Sequence, residues 1–255
     1  MTKRYISAMF PSENLKELLR NKVRTVVLTG AGISAESGVP TFRGNSDSLW
    51  SKFDPRELAS IDGFMANPGL VWEWYKWRRT LIDDTQPNPG HEVLAKLEKW
   101  LPDFTLVTQN VDNLHQRAGS EHVVELHGNI HKNKCFRCGQ IMTVEEFDSN
   151  KLPICECGGM IRPDVVWFGE MLPESQIAAA IAKSRRAELF FSIGTSAEVF
   201  PAADLPIEAK RCGAYLIEIN PDETPISDHA DEVCRGKSGA VLSKLWGTIN
   251  ELAEV

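Results

Sequence analysis

The chain has 255 residues, a formal net charge of −7, 42% hydrophobic residues and 25% charged residues. That length suits one large domain, or a large and a small one. The acidic balance argues against a general nucleic-acid binder, which is usually basic, and no stretch is apolar enough to span a bilayer.

At the N-terminus, Lys3 and Arg4 have no long apolar run behind them, and Glu13 and Glu17 follow early. Neither a secretory signal nor a mitochondrial presequence is expected, and a cytoplasmic protein is. Six cysteines in that compartment point to metal or redox chemistry before disulfides. Residues 12–22 predict an amphipathic helix with Leu15, Leu18 and Leu19 on one face. Short β-branched runs then predict strands at 25–29, 104–108, 123–126, 189–193 and 215–219, with Val165–Phe168 as a candidate sixth. Helical patterns at 91–101, 112–118, 175–186, 204–211 and 238–252 separate many of them. This alternation implies an α/β fold: a Rossmann-like, doubly wound parallel sheet of about six strands. Two stretches break the pattern. Residues 42–84 hold four of the seven tryptophans and no clear strand, and read as a helical insert. Residues 131–162 hold four cysteines and little apolar content, and read as a module without a core of its own. The large domain is then 1–41, 85–130 and 163–255, with 42–84 and 131–162 forming the small one.

After the first strand, Gly30-x-Gly32-x-x-Ala35 fits a loose dinucleotide fingerprint that should open a helix. Gly30 permits the tight turn, and Gly32 lets backbone approach a phosphate at a helix N-terminus. A glycine-rich turn can also be only a turn. The acidic residue usually found on the next strand has no strand to sit on here, which turns the reading away from hydride transfer.

Thr108-Gln-Asn-Val-Asp-Asn-Leu-His115 places polar side chains at the end of a buried strand, where open α/β sheets bind ligands. His127 and Gly128 follow the next strand, and imidazole suits proton transfer at neutral pH. Gly194, Thr195 and Ser196 follow a fourth strand. Cys135-x2-Cys138, then sixteen residues, then Cys155-x-Cys157 offers four thiolates in two knuckles, the second tighter than usual. Four sulfurs suit a closed, structural Zn²⁺ site. Two disulfides, or His131 in place of one cysteine, are alternatives. Cys212 and Cys234 lack a partner pattern and read as small buried residues. In the module Lys132, Lys134, Arg137, Lys151 and Arg162 nearly balance Glu145, Glu146, Asp148 and Glu156, a poor match for reading phosphates.

Together these segments, with Val39-Pro-Thr-Phe-Arg43, Arg162-Pro-Asp-Val-Val-Trp-Phe-Gly-Glu170 and Ile217-Glu-Ile-Asn220, resemble the sirtuins, the NAD-dependent protein lysine deacylases. The resemblance runs from about residue 22 to 250 in the family order. It implies that Gly30, Ala31, Gly32, Ile33, Ser34, Ala35, Glu36, Ser37, Gly38, Thr41, Phe42 and Arg43 hold the pyrophosphate and shape a loop over the nicotinamide ribose. Gln109, Asn110, Val111 and Asp112 would orient that ribose and the amide. Gly194, Thr195, Ser196, Asn220, Pro221 and Asp222 would contact phosphate and riboses, with Ser238 near the adenine. Val165, Val166, Trp167, Phe168 and Gly169 would pair with the substrate backbone as an added strand.

The implied reaction consumes NAD. The acyl-lysine oxygen attacks the ribose carbon, nicotinamide leaves, and His127 then acts as general base on a ribose hydroxyl. Lysine and O-acyl-ADP-ribose result. Tyr75 and Arg78, three apart in a helical pattern, resemble the subgroup that removes succinyl and malonyl groups, since a guanidinium beside a phenol receives a carboxylate. A surface arginine snorkelling over tryptophan is the plainer alternative. The implied partners are acyl-lysine proteins or peptides, with no nucleic acid and no membrane, and the implied state is a monomer. ADP-ribosyl transfer or NAD hydrolysis would use the same cofactor site, and a binding module would have no use for Tyr75 and Arg78 together.

Overall fold

Apolar β-branched runs, buried on both faces, become the strands of one parallel sheet. The computed structural model describes residues 10–41, 53–142 and 152–253. Helix α1 (Glu13–Arg20) starts at Ser12, whose hydroxyl accepts from Leu15 N at 3.2 Å. It precedes β1 (Thr25–Thr29). The predicted helical insert contains α2 (Pro55–Leu58), α3 (Ile61–Ala66) and α4 (Pro68–Asp83). There follow α5 (Pro89–Trp100), β2 (Phe104–Thr108), α6 (Leu114–Arg117) and β3 (Val123–Glu125). The cysteine module is built on β4 (Gly128–Cys135), β5 (Ile141–Met142) and β6 (Ile161–Val165). The chain returns through α7 (Glu174–Arg186), β7 (Leu189–Ile193), α8 (Leu205–Arg211), β8 (Tyr215–Ile219), β9 (Glu232–Cys234) and α9 (Ser238–Ala253).

The large sheet has the order β3-β2-β1-β7-β8-β9 and is parallel throughout. Successive strand residues point to opposite faces. Val27, Leu106 and Phe191 pack with α1, α5 and α9 on one side. Val26, Leu28 and Phe190 pack with α7 and α8 on the other. The sheet is therefore doubly wound, as expected.

The sixth strand differs from the expected one. It is β9, whose three residues are too few to carry a pattern. Val165 instead ends β6 in the antiparallel order β5-β4-β6, and Phe168 forms a lone parallel bridge with Ser60. The cysteine module does not fold around a core of its own. Cys135, Cys155, Ile161 and Val165 join Phe64, Trp72, Trp74, Tyr75 and Trp167 in one cluster with the insert. Trp72 Nε1 donates to Ile161 O at 3.1 Å, fastening the two. Cys234 is buried as expected, but Cys212, the C-cap of α8, is exposed. Among the described residues no helix is long and apolar enough to cross a membrane.

The glycine turn does not open an α-helix. Two 3-10 turns, Ala31–Ile33 and Ala35–Ser37, follow β1 and end at Gly38, whose φ is 89°. Chain direction across the sheet reverses between β1 and β7, and ligands of open α/β sheets bind at that switch point. Here the two strand-end turns touch backbone to backbone. Gly30 N donates to Ile193 O at 3.0 Å, and Gly32 N to Gly194 O at 2.8 Å. A Cβ on Gly32 would lie 2.7 Å from the Gly194 Cα and oxygen. The glycine is thus required by the second turn, whatever ligand lies above. Gly32→Ala is expected to cost about 1–3 kcal/mol through this overlap. The check is a lowered thermal unfolding midpoint; an unchanged one would show that the turns can separate freely.

Candidate active site

Strand ends β1, β2, β3, β7 and β8 bring the sequence-predicted polar groups together at one edge of the sheet. Ser34 is buried beneath the glycine turn. Its hydroxyl donates to Asp112 Oδ2 at 2.7 Å and accepts from Asn110 Nδ2 at 3.1 Å. Asp112 Oδ1 accepts from Leu114 N at 3.0 Å. Burial raises the Asp112 pKa, opposed by the Ser34 and Leu114 bonds and by the Arg78 charge.

Two histidines outside the predicted set complete this floor. His91 Nδ1 accepts from Asn88 N at 3.3 Å, so its proton sits on Nε2, 3.3 Å from Ser34 Oγ. Thr29 donates to Thr108 at 2.8 Å, so its oxygen can only accept from His115 Nε2 at 2.9 Å. The two rings meet edge to face with centroids 4.9 Å apart. Burial pushes His91 down to about 4 and His115 well below its usual value, so both are neutral. His115 stood at the end of the quoted strand-end motif. His91 was signalled only by Asn88-Pro-Gly-His91, a helix-capping pattern.

His127 follows β3. Its Nδ1 lies 2.8 Å from the Gln109 carbonyl oxygen, which can only accept. Nδ1 therefore carries the proton, and Nε2 presents a lone pair. Burial lowers its pKa, partly offset by the Gln109 bond, so the ring is neutral at pH 7. Gln109 Nε2 in turn donates to Thr195 Oγ1 at 2.9 Å, tying the β2 end to the β7 turn. Asn220 Nδ2 donates to Thr195 O at 2.8 Å, bringing in the β8 end, and its Oδ1 accepts from Asp222 N at 3.2 Å. Ser196, Pro221 and Asp222 are exposed at this rim. Ser238 is buried at the start of α9, its hydroxyl without a hydrogen-bond partner among the described residues. Glu36 reaches the same helix start, accepting from Gly239 N at 2.7 Å. Phe42 and Arg43 lie outside the described residues.

Tyr75 and Arg78 share the buried face of α4, 1% and 7% exposed, so Arg78 does not snorkel at the surface. The guanidinium lies over the rings of Trp74 and Tyr75, at 4.9 and 5.7 Å. Trp167 Nε1 donates to the Tyr75 hydroxyl at 2.9 Å. Trp167 is itself held by Arg162, stacked 3.2 Å from its ring, and Arg162 also binds the Glu170 carboxylate. In the Val165–Gly169 segment, Val166 N donates to His127 O and Phe168 N to Ala59 O, both at 2.9 Å. Those two N–H groups are already occupied, so an added strand would have to pair elsewhere on the segment.

The four module sulfurs lie within 4.8 Å of one another, with Cys135–Cys157 at 3.4 Å and Cys138–Cys155 at 3.8 Å. Tetrahedral zinc with bonds of about 2.3 Å places its sulfurs about 3.8 Å apart, whereas a disulfide needs about 2 Å. The set fits structural zinc, and disulfides do not describe it. His131 is not a fourth ligand; its ring faces Asp83, 3.8 Å away. The backbone N–H of Cys138, then that of Arg137, points at Cys135 Sγ and lowers its pKa to about 6, which favours the thiolate a metal needs.

A parallel sheet with strand-end turns meeting at its switch point, and a cysteine-built module alongside, defines a dinucleotide-binding α/β protein with a structural zinc insert. The Sir2 family profile matches residues 30–201. An Aquifex aeolicus protein named NAD-dependent protein deacylase is 53% identical over 228 residues, covering 89% of this chain and 95% of its own length. Among solved structures, a Sir2 homologue mutant bound to ADP-ribose is 43% identical with a TM-score of 0.90, covering 96% of this chain and 98% of that one. A complex of Sir2 with a p53 peptide and NAD+ is 38% identical with a TM-score of 0.81, covering 94% and 98%. The chain belongs to the Sir2 family.

Cys155→Ser is expected to lower bound zinc well below one equivalent, by elemental analysis, and to reduce the unfolding midpoint, because the metal stands in for a module core. Full zinc in that variant would show that three sulfurs suffice.

Proposed function

We propose that the chain is an NAD-dependent protein lysine deacylase that removes acetyl and acidic acyl groups, succinyl and malonyl among them. The observation that carries this reading is His127: a neutral imidazole beside the end of β2, whose protonated Nδ1 faces Gln109 O, which leaves Nε2 with the lone pair that a base needs. NAD, when bound, supplies a ribose carbon from which nicotinamide can depart. The residues from Gly30 to Gly38, with Thr41, and those from Gly194 to Ser196, would bind its phosphates. Asn220, Pro221, Asp222 and Ser238 would bind the adenosine end. Asn110 and Asp112 would orient the nicotinamide ribose. Ser34 keeps its own proton on Asp112 and so holds that carboxylate in place. His127 Nε2 would take the proton from a ribose hydroxyl as that oxygen attacks the acyl carbon. The segment from Val165 to Gly169 would hold the peptide beside it.

The acidic-acyl preference is supported by Tyr75 and Arg78. With its oxygen accepting from Trp167, the Tyr75 phenol keeps a proton to donate. The Arg78 charge sits in a dry aromatic wall, where attraction for a carboxylate is strong. A neutral acetyl group needs neither, so both activities follow.

His127→Ala is expected to abolish deacylation of acetyl-lysine peptide with zinc content unchanged. In the unaltered enzyme, kcat/KM should be flat at neutral pH and fall on acidification only below about 6.5, since the lowered His127 pKa keeps the base unprotonated above that value. Near-normal turnover of the variant would sink the role. Arg78→Met is expected to weaken desuccinylation about tenfold or more, the scale of a lost charge-assisted hydrogen bond, while sparing deacetylation. Matched acetyl-, succinyl- and malonyl-lysine peptides, with and without NAD, read this by mass. Equal losses on all peptides would mean that Arg78 does not read the acyl carboxylate.

A further inference from the structure

A single hydrogen bond at Nδ1 fixes the tautomer of His127, but where Nε2 lies depends on the turn that carries the ring. That turn runs from the end of β3 to the start of β4, and its two sides are closed by a side-chain bond. Asn129 Nδ2 donates to Glu125 Oε1 at 2.6 Å, spanning His127 and Gly128. Gln116 Nε2 donates to the same Glu125 oxygen at 2.8 Å, and Lys132 Nζ to the other at 2.9 Å. Asn129 is only 2% exposed, and its Oδ1 accepts from His131 N at 3.0 Å. The backbone on either side is anchored too: Leu126 N donates to Thr108 O and Ile130 N to Val111 O, both at 2.9 Å. Gly128 sits at φ 78°, and a Cβ there would collide with the Asp164 carbonyl, so the apex has one shape.

We propose that Glu125 and Asn129 form a positioning clamp for the base, closing the turn so that His127 Nε2 is held at the reacting hydroxyl. The proposal rests on His127 acting as the base. Neither clamp residue touches the reacting atoms; each acts through the shape of the turn. Asn129→Asp sets a second carboxylate against Glu125, and like charges at this distance force the turn apart. Adding Glu125→Gln to that variant restores the bond with its direction reversed, since the introduced amide donates to the introduced carboxylate, its second N–H meeting the Gln116 amide turned over to present its oxygen. The acceptor for His131 N survives in both.

The test follows one turnover of an acetyl-lysine peptide with NAD, reading nicotinamide release and deacylated peptide separately. In the reaction implied for this family, nicotinamide leaves before the base acts. N129D is expected to keep nicotinamide release within about twofold and to slow peptide deacylation about tenfold or more, as a misplaced catalytic group does. E125Q/N129D should recover deacylation to within about threefold of the unaltered enzyme. Zinc content and unfolding midpoint are measured on each. If N129D does not fold, N129A is read in the same way and should show the same split. Unimpaired deacylation in a folded variant, equal loss of both steps, or no recovery in E125Q/N129D overturns the clamp. His127→Ala runs alongside: if it also turns over normally, the base assignment itself has failed, and if it alone is inactive, only the clamp has.

Discussion

The backbone contact between the turns after β1 and β7 is the constraint on which the cleft depends. In-register pairing of Thr29 with Ile193 brings the two chain ends out side by side. Gly30, Gly32 and Gly194 then let them approach to distances no side chain tolerates. Two consequences follow from this one closeness. The sheet keeps its parallel neighbours β1 and β7 in contact at the point where the order of strands reverses. Thr195 is also brought within reach of both Gln109 and Asn220, which ties the ends of β2 and β8 into the same rim. Glycine fingerprints are usually explained by a phosphate above them, but here a second turn below supplies an independent reason.

Under that rim four of the polar groups have their proton directions set by their neighbours. Ser34 gives its proton to Asp112, His91 donates to Ser34, Thr29 to Thr108 and His115 to Thr29. Burial keeps both histidines neutral, so the floor holds no imidazolium beside the cleft. These directed bonds fix the donors and acceptors around Ser34 and Thr29 before a ligand arrives, while the buried Nδ1 of His115 is left without a partner among the described residues. His127 is neutral for the same reason, with its proton on Nδ1 facing the Gln109 carbonyl oxygen.

The insert and the cysteine module share one hydrophobic cluster, and this sharing links Cys135 and Cys155, the segment from Val165 to Trp167, and Tyr75. Trp167 lies at the junction. Arg162 stacks on its face, Glu170 accepts from its backbone N–H, and its indole N–H meets Tyr75. A disturbance at the sulfurs would therefore be felt at Tyr75 and Arg78 through packing, with no residue of the large sheet in between.

Much of this was legible in the sequence because it is local. Five strands, the flanking helices, the cysteine knuckles and His127 at a strand end all follow from short-range pattern and spacing. The strand at Glu232–Cys234 was not, because three residues carry no period, and its pairing with β8 alone makes it a strand. Nor was the destination of Val165–Phe168, whose apolar run fits either sheet until β4 claims Val165. The helix expected after Gly32 gave way to 3-10 turns where Gly194 crowds in. The family resemblance, read onto single residues, nominated Ser34, Asp112, Tyr75 and Arg78 for the site. Only the tertiary structure gave them partners, since Ser34 meets Asp112 from 78 positions away and Tyr75 meets Trp167 from 92. Sequence thus determines which chemistry can be present, through side chains and local backbone preference. The fold decides protonation and orientation, because these depend on burial and on hydrogen-bond partners that spacing along the chain does not reveal.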